Sequence, residues 1–147
     1  MRILGNILWH IPFLGFLNAL FHFLIGSLFV VSVVGAPIGL GLIQHSKFLL
    51  TPFSSCMVAD EALNRVSTPL WEVYSTFVWI LYLPIGIVLT ILALAQMVVF
   101  ALTIIGIPIA VIIAKSLSTY FKPINKRCVP VEVRDEVKRR KAQTYFK

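Results

Sequence analysis

Charge is what this chain most lacks. Only 13% of its 147 residues are charged, about half the share found in a typical soluble domain. Between Ile3 and Leu50 the only formal charge is Lys47, and between Val73 and Ala114 there is none. Each of those runs far exceeds the ~20 apolar residues that cross a hydrocarbon core. A soluble globular domain is thereby excluded, and the composition reads as an integral membrane protein. Arg2 ahead of the first run resembles the start of a secretion signal. A signal core is only ~7–15 residues long, so this run reads as a retained anchor that also targets the chain.

Other absences narrow the function. The apolar runs contain no Asp or Glu, whereas proton-coupled carriers place ionisable groups inside the membrane. There is no His-Glu-x-x-His, no nucleotide-binding glycine loop, no Cys-x-x-Cys and no Gly-x-Ser-x-Gly. An enzyme is therefore not expected, and neither is a cofactor or a bound metal. The two cysteines, Cys56 and Cys128, fall one in each polar segment. They read as free thiols, because cytosolic segments disfavour a disulfide and a metal site needs more ligands than are grouped here.

What the chain does have is apolar surface, 59% of its residues, and a net charge of +7. Eight of the thirteen basic residues follow Ile124. A basic segment just beyond a membrane segment is first a marker of the cytosolic side, and second an attractor of anionic lipid headgroups. No aromatic-basic motif accompanies it, so nucleic acid is not expected as a partner. The bilayer and its anionic lipids are.

Shifted by 71 residues, the sequence partly matches itself. Gly15 falls on Gly86, Phe29 on Phe100, Gly35 on Gly106, Pro37 on Pro108, Ile38 on Ile109 and Pro52 on Pro123, while Ser32 meets Thr103. The Gly-x-Pro pairs and the later prolines carry more weight than matches between apolar residues. Each copy opens on a Trp-bearing lead-in, with Trp9 in one and Trp71 and Trp79 in the other, followed by Pro12 or Pro84. A clean apolar stretch follows, Phe13 to Val34 or Ile85 to Ile105, 22 and 21 residues long. After the Gly-x-Pro break about fourteen apolar residues remain, Pro37 to Leu50 or Pro108 to Phe121, only ~21 Å of helix. The division that results is a first membrane repeat over 1–56, a polar connector over 57–70, a second repeat over 71–125 and a basic cytosolic tail over 126–147.

Gly ends a helix readily, and a proline two residues later suits the first turn of a new one. Gly35–Pro37 and Gly106–Pro108 therefore read as a stop followed at once by a start. The fold expected is all-α and membrane-integral, with two tandem repeats, each a transmembrane helix broken at Gly-x-Pro and followed by a short second helix. A hairpin in each repeat is favoured, giving two or four crossings, with the repeats parallel and the charge-free turns outside. A simple kink in one long helix is the alternative. Both place the N- and C-termini in the cytosol. Re-entrant backbone at membrane depth must be covered by protein or water, which points to a homo-oligomer.

Few polar residues interrupt the apolar runs. Asn18 and His22 lie one helical turn apart, and Ser32 and Thr103 precede the two glycines by three residues. Lys115, Ser118, Thr119 and Lys122 share a helical face, as do Gln44, Lys47 and Thr51. Interhelical hydrogen bonding and snorkelling at the interface account for these positions. The sharper reading makes Asn18, His22, Ser32, Thr103 and Lys115 the lining of an oligomeric pore whose basic mouth selects anions. In the connector, Asp60 or Glu61 is spaced to pair with Arg65.

The opening "MRILGN", the "GxPIG" turn, the downstream "TPF", the second "IIGIPIA" turn and "FKPINKRCV" together resemble the YccF-like family of small bacterial inner-membrane proteins with two inner membrane component domains. The second turn is followed by Ala110 where the first has Gly39. The resemblance implies the bacterial plasma (inner) membrane and implies no established activity. Two functions are carried forward. One is a channel-like protein for small ions. The other is a non-conducting structural or accessory protein that binds anionic lipids or a partner through its basic tail.

Overall fold

A computed structural model describes residues 2–11, 13–65 and 67–145; Pro12, expected to open the first apolar stretch, lies outside the described residues. The described chain is mostly helical. Six α-helices are α1 (Arg2–His10), α2 (Gly15–Val31), α3 (Ala36–Leu50), α4 (Pro69–Ala101), α5 (Ile107–Phe121) and α6 (Val131–Tyr145). Two strands, β1 (Ser55–Ala59) and β2 (Lys126–Pro130), and a 3-10 turn at Asp60–Leu63 complete it. The strands depart from the all-α expectation. They pair antiparallel, with Ser55 opposite Pro130, Met57 opposite Cys128 and Ala59 opposite Lys126.

α2 packs along α3, and α4 along α5, each pair joined by a tight turn. Small residues let the first pair approach closely. A Cβ on Gly26 would meet the Gly39 carbonyl oxygen at 2.9 Å, and one on Gly39 would meet that of Gly26 at 2.5 Å. Glycines at such crossings are how helices gain contact area where no water drives them together. α3 and α5 form the middle of the fold. α3 lies between α2 on one side and both strands on the other, and α5 touches β1, α1 and α3 as well as α4. Burial follows this layering. Phe48, Leu49, Ile109 and Ile112 are buried around Trp9 and Ala19, whereas Leu28, Ile91 and Val99 on the outer helices α2 and α4 are exposed.

α4 differs from expectation in its start. It begins at Pro69, with Thr68 as the preceding cap residue, and runs 33 residues straight through Pro84. Pro69 sits at a first-turn position, where a missing N–H costs nothing. Pro84 is exposed within the helix. Among the described residues α4 is the one helix long and apolar enough to cross a membrane, and only 17% of its apolar window is buried. The core helix of a soluble protein would be mostly buried. α1 and α2 reach spanning length only if taken together as one bent span. Leu14, between them, is left-handed at φ 51°.

Contacts along α4 fix where the turns lie. Near its start, Tyr74 donates to the carbonyls of Val33 and Val34, the latter at 3.1 Å. At its middle, Tyr82 donates to the Tyr120 carbonyl at 2.9 Å, near the end of α5. Its C-terminus leads into the second turn. α4 therefore runs from one Gly-x-Pro turn to the other, and the turns sit at opposite ends of a helix about 50 Å long.

Close packing at the centre makes a specific demand on one glycine. A Cβ on Gly41 would lie 2.0 Å from the Pro123 carbonyl oxygen and 2.7 Å from its carbon, both backbone atoms. Backbone cannot step aside as a side chain can. Gly41→Ala should destabilise the fold by about 1–3 kcal/mol, the usual cost of overpacking. Thermal unfolding in mild detergent would check this; an unchanged midpoint would show that α3 does not press on the end of α5 as described.

Candidate functional site

The two Gly-x-Pro turns are built alike. Gly35 and Gly106 stand immediately before the helices they start, and Pro37 and Pro108 fall in the first turn of α3 and α5. Ser32 Oγ donates to the Phe29 carbonyl at 2.7 Å and accepts the Gly35 N–H at 3.2 Å. Thr103 Oγ1 does the same with Phe100 at 3.0 Å and Gly106 at 3.1 Å. Each hydroxyl thus closes one turn, satisfying a donor that hydrocarbon would leave bare. Both side chains, offered above as pore lining, are engaged locally.

Of the other three candidates, His22 shares an apolar cavity with Ser32 and Gly35 of the first turn, whereas Asn18 and Lys115 lie elsewhere. His22 Nδ1 contacts the Asn18 carbonyl at 2.9 Å, and since a carbonyl only accepts, that nitrogen carries the proton. The His22 ring lies 5.1 Å from that of His45, which is wholly buried and in turn 5.4 Å from Tyr120. Asn18 faces a different cavity, beside Gln96, Phe100 and Tyr120. Lys115 donates to the Pro52 carbonyl at 2.7 Å and its ammonium lies 5.6 Å from the centre of the Phe53 ring. The five residues are therefore not brought to one lumen within the chain.

Charge gathers instead on the strand side of the fold. A cleft of about 710 Å³ is lined by Arg65, Trp71, Glu72, Lys122, Asn125 and Arg127, among others. Arg127 Nε binds Asp60 Oδ1 at 2.8 Å, so Asp60, one of the two carboxylates spaced to reach Arg65, takes Arg127. Trp71 donates to Asn125 Oδ1 at 3.1 Å, and Asn125 Nδ2 to Ser75 Oγ at 3.3 Å. The Lys122 ammonium lies 5.0 Å from the centre of the Trp79 ring, a contact that interfacial aromatics favour. Arg2 pairs with Glu132, tying α1 to α6.

The strands carry the cysteines without joining them. Cys128 stands opposite Met57, the neighbour of Cys56. Successive side chains on a strand point to opposite faces, so the two thiols do too, and both are free. Burial pushes both thiols up from their ordinary range, which makes them poor nucleophiles. Spacing placed Gln44 on a polar helix face but missed that its Oε1 accepts the Cys128 N–H at 3.2 Å, and it missed Asn6, which bonds to Phe53 and Ser54. A lone amide within an apolar run is the signal that could have marked each.

Residues 4–55 match the family model described as YccF, inner membrane component domain. No curated protein and no solved structure matches the chain.

Lys126 supplies a test of this polar layer. It donates to the Ser118 carbonyl, and burial, with Lys122 nearby, brings its ammonium from 10.5 down to about 8. Between about pH 8 and pH 10.5 the unfolded chain then holds more protons than the folded one, so stability should rise with pH across that window. Lys126→Met should lower the slope of that profile relative to the parent chain, measured as unfolding midpoint against pH. An unchanged slope in the variant would mean that Lys126 is solvated.

Proposed function

With residues 4–55 a match to an inner membrane component domain, we propose that the chain is a non-conducting inner-membrane protein, built of two tandem units, that binds anionic lipid through a basic cytosolic face. The observation that carries this reading is the segregation of charge. Arg2 reaches Glu132, so the two ends of the chain meet on one side. The strands, the connector and α6 hold most of the basic residues, while the turns at Ser32–Gly35 and Leu102–Gly106 hold none. α6 alone carries Arg134, Lys138, Arg139, Arg140 and Lys141. By the positive-inside rule this face, with both termini, is cytosolic.

The tandem reading has several supports. α3 and α5 have boundaries 71 residues apart, and so do β1 and β2. The strand pairing is centred on Met57 and Cys128, themselves 71 apart. Beside it, Asp60 N–H donates to the Asn125 carbonyl at 2.9 Å and Val131 N–H to the Ser54 carbonyl at 3.1 Å. Those bonds exchange under the same shift. Each unit is then a helix–turn–helix hairpin followed by a strand.

Channel activity is the less favoured reading, because Ser32 and Thr103 are spent on turn closure and Lys115 on Pro52, while His22 and Asn18 line two different cavities, the first of them apolar. A second copy would have less turn backbone to shield, since Ser32 and Thr103 each bond an N–H of their own turn. Each basic residue near an anionic surface contributes about 1 kcal/mol. The triple variant Lys138→Ala, Arg139→Ala, Lys141→Ala should therefore lose about 100-fold or more in affinity for phosphatidylglycerol. High salt should weaken the parent chain similarly. Native mass measurement of the full chain with phosphatidylglycerol and with phosphatidylcholine reads both, and equal retention of the two lipids would sink the proposal. Liposomes holding the purified chain should show no ion flux above lipid alone.

A further inference from the structure

We infer that the protein is seated in a single leaflet and that α4, though long enough to cross, lies along the membrane instead. The inference rests on the inner-membrane reading but not on the lipid preference of α6. Its first ground is the depth of the first turn. Pro37, two residues past Gly35, shares a small cavity with Asp60, Lys126 and Arg127. Arg127 and Asp60 are an ion pair of the strand layer. Tyr74, which holds the Val33 and Val34 carbonyls, is two residues from Glu72, and Glu72 accepts a hydrogen bond from Ser67 in the polar cleft. The first turn is thus level with charges that belong in water, not a bilayer's thickness away from them.

The second turn is limited by Lys115. Its ammonium is bonded to the carbonyl of Pro52, buried just before β1. Only seven residues separate Lys115 from Pro108, about 10 Å of helix rise. A hydrocarbon core is ~30 Å thick. The helix pair therefore reaches no more than about a third of the way across before it turns.

These two limits act together on α4. It starts at the first turn, beside Glu72, and ends at the second. With both ends held near the strand layer, its length of about 50 Å must be laid sideways. The layering accommodates this. α2 and α4 form the outer apolar sheet of helices, α3 and α5 the middle, and the strands the polar cover. A helix about 10–12 Å across fits within half of a ~30 Å core. This arrangement replaces the two or four crossings expected from the apolar run lengths.

Two measurements test it in a chain carrying Cys56→Ser and Cys128→Ser. The first applies a membrane-impermeant maleimide to intact cells whose outer envelope has been opened. Val34→Cys and Ile104→Cys should stay unlabelled from outside, and Ala142→Cys on α6 should label only once the inner membrane is broken. External labelling of Val34→Cys or Ile104→Cys would overturn the inference. The second places spin labels at Leu81, Ile91 and Leu102, all exposed and spread over about 30 Å of helix rise. Equal depth at the three sites is expected. A steady gradient from one headgroup region to the other would mean that α4 crosses. The lipid-retention result for α6 stands or falls separately from both.

Discussion

The ladder between Ser55–Ala59 and Lys126–Pro130 is the interaction to which the rest of the chain conforms. Each strand is five residues long and pairs with the other. A lone strand at the edge of a bilayer would leave donors and acceptors unmet, at several kcal/mol per group in hydrocarbon. Pairing satisfies them, and it also decides where the helices go. α3 must lie under β2, and Lys115 on α5 must reach back to Pro52. The close approach of Gly41 to Pro123 follows from the same crossing. Without the ladder the two helix pairs would be held in register by the shared core around Phe48 and Ile112 and a few hydrogen bonds, since their mutual contacts are sparse beside those within each pair.

Polar chemistry follows this division. Turn backbone is closed locally, with Ser32 and Thr103 each accepting an N–H of its own turn. Groups that need water or a counter-charge collect around the strands, where Arg127 meets Asp60 and Trp71 meets Asn125. His45 stands between the two populations. It is wholly buried, stacked on Phe48 and edge-on to Tyr120, and neither ring nitrogen has a partner among the described residues. An aromatic surround suits the neutral ring as a packing element.

Local chemistry was legible in the sequence, and long-range pairing was not. Gly35–Pro37 and Gly106–Pro108 mark helix starts because Gly and Pro act on their own backbone, whatever surrounds them. The ends of α3 and α5 at Leu50 and Phe121 are also visible, where the apolar pattern stops. The strands "SCMVA" and "KRCVP" show no alternation and one contains proline, so nothing within either announces pairing. Pro84 misled because proline usually ends a helix, yet here it faces outward within a continuous one. The cleft was hidden for a different reason. Arg65, Lys122 and Arg127 come from separate segments, and only the folded chain brings them to one wall.

The distance between the strands along the chain has a consequence for how the protein is made. β1 leaves the ribosome before β2 is made, so its hydrogen-bonding edge stands open until the C-terminal part of the chain arrives. Contacts of such long sequence separation form late and slowly. The α2–α3 pair, whose contacts are local, can settle in the membrane first. An exposed strand edge during that interval invites pairing with the wrong chain. Gln44 already waits beside the position that β2 will take, so the first half of the chain carries part of the seat into which the last strand docks.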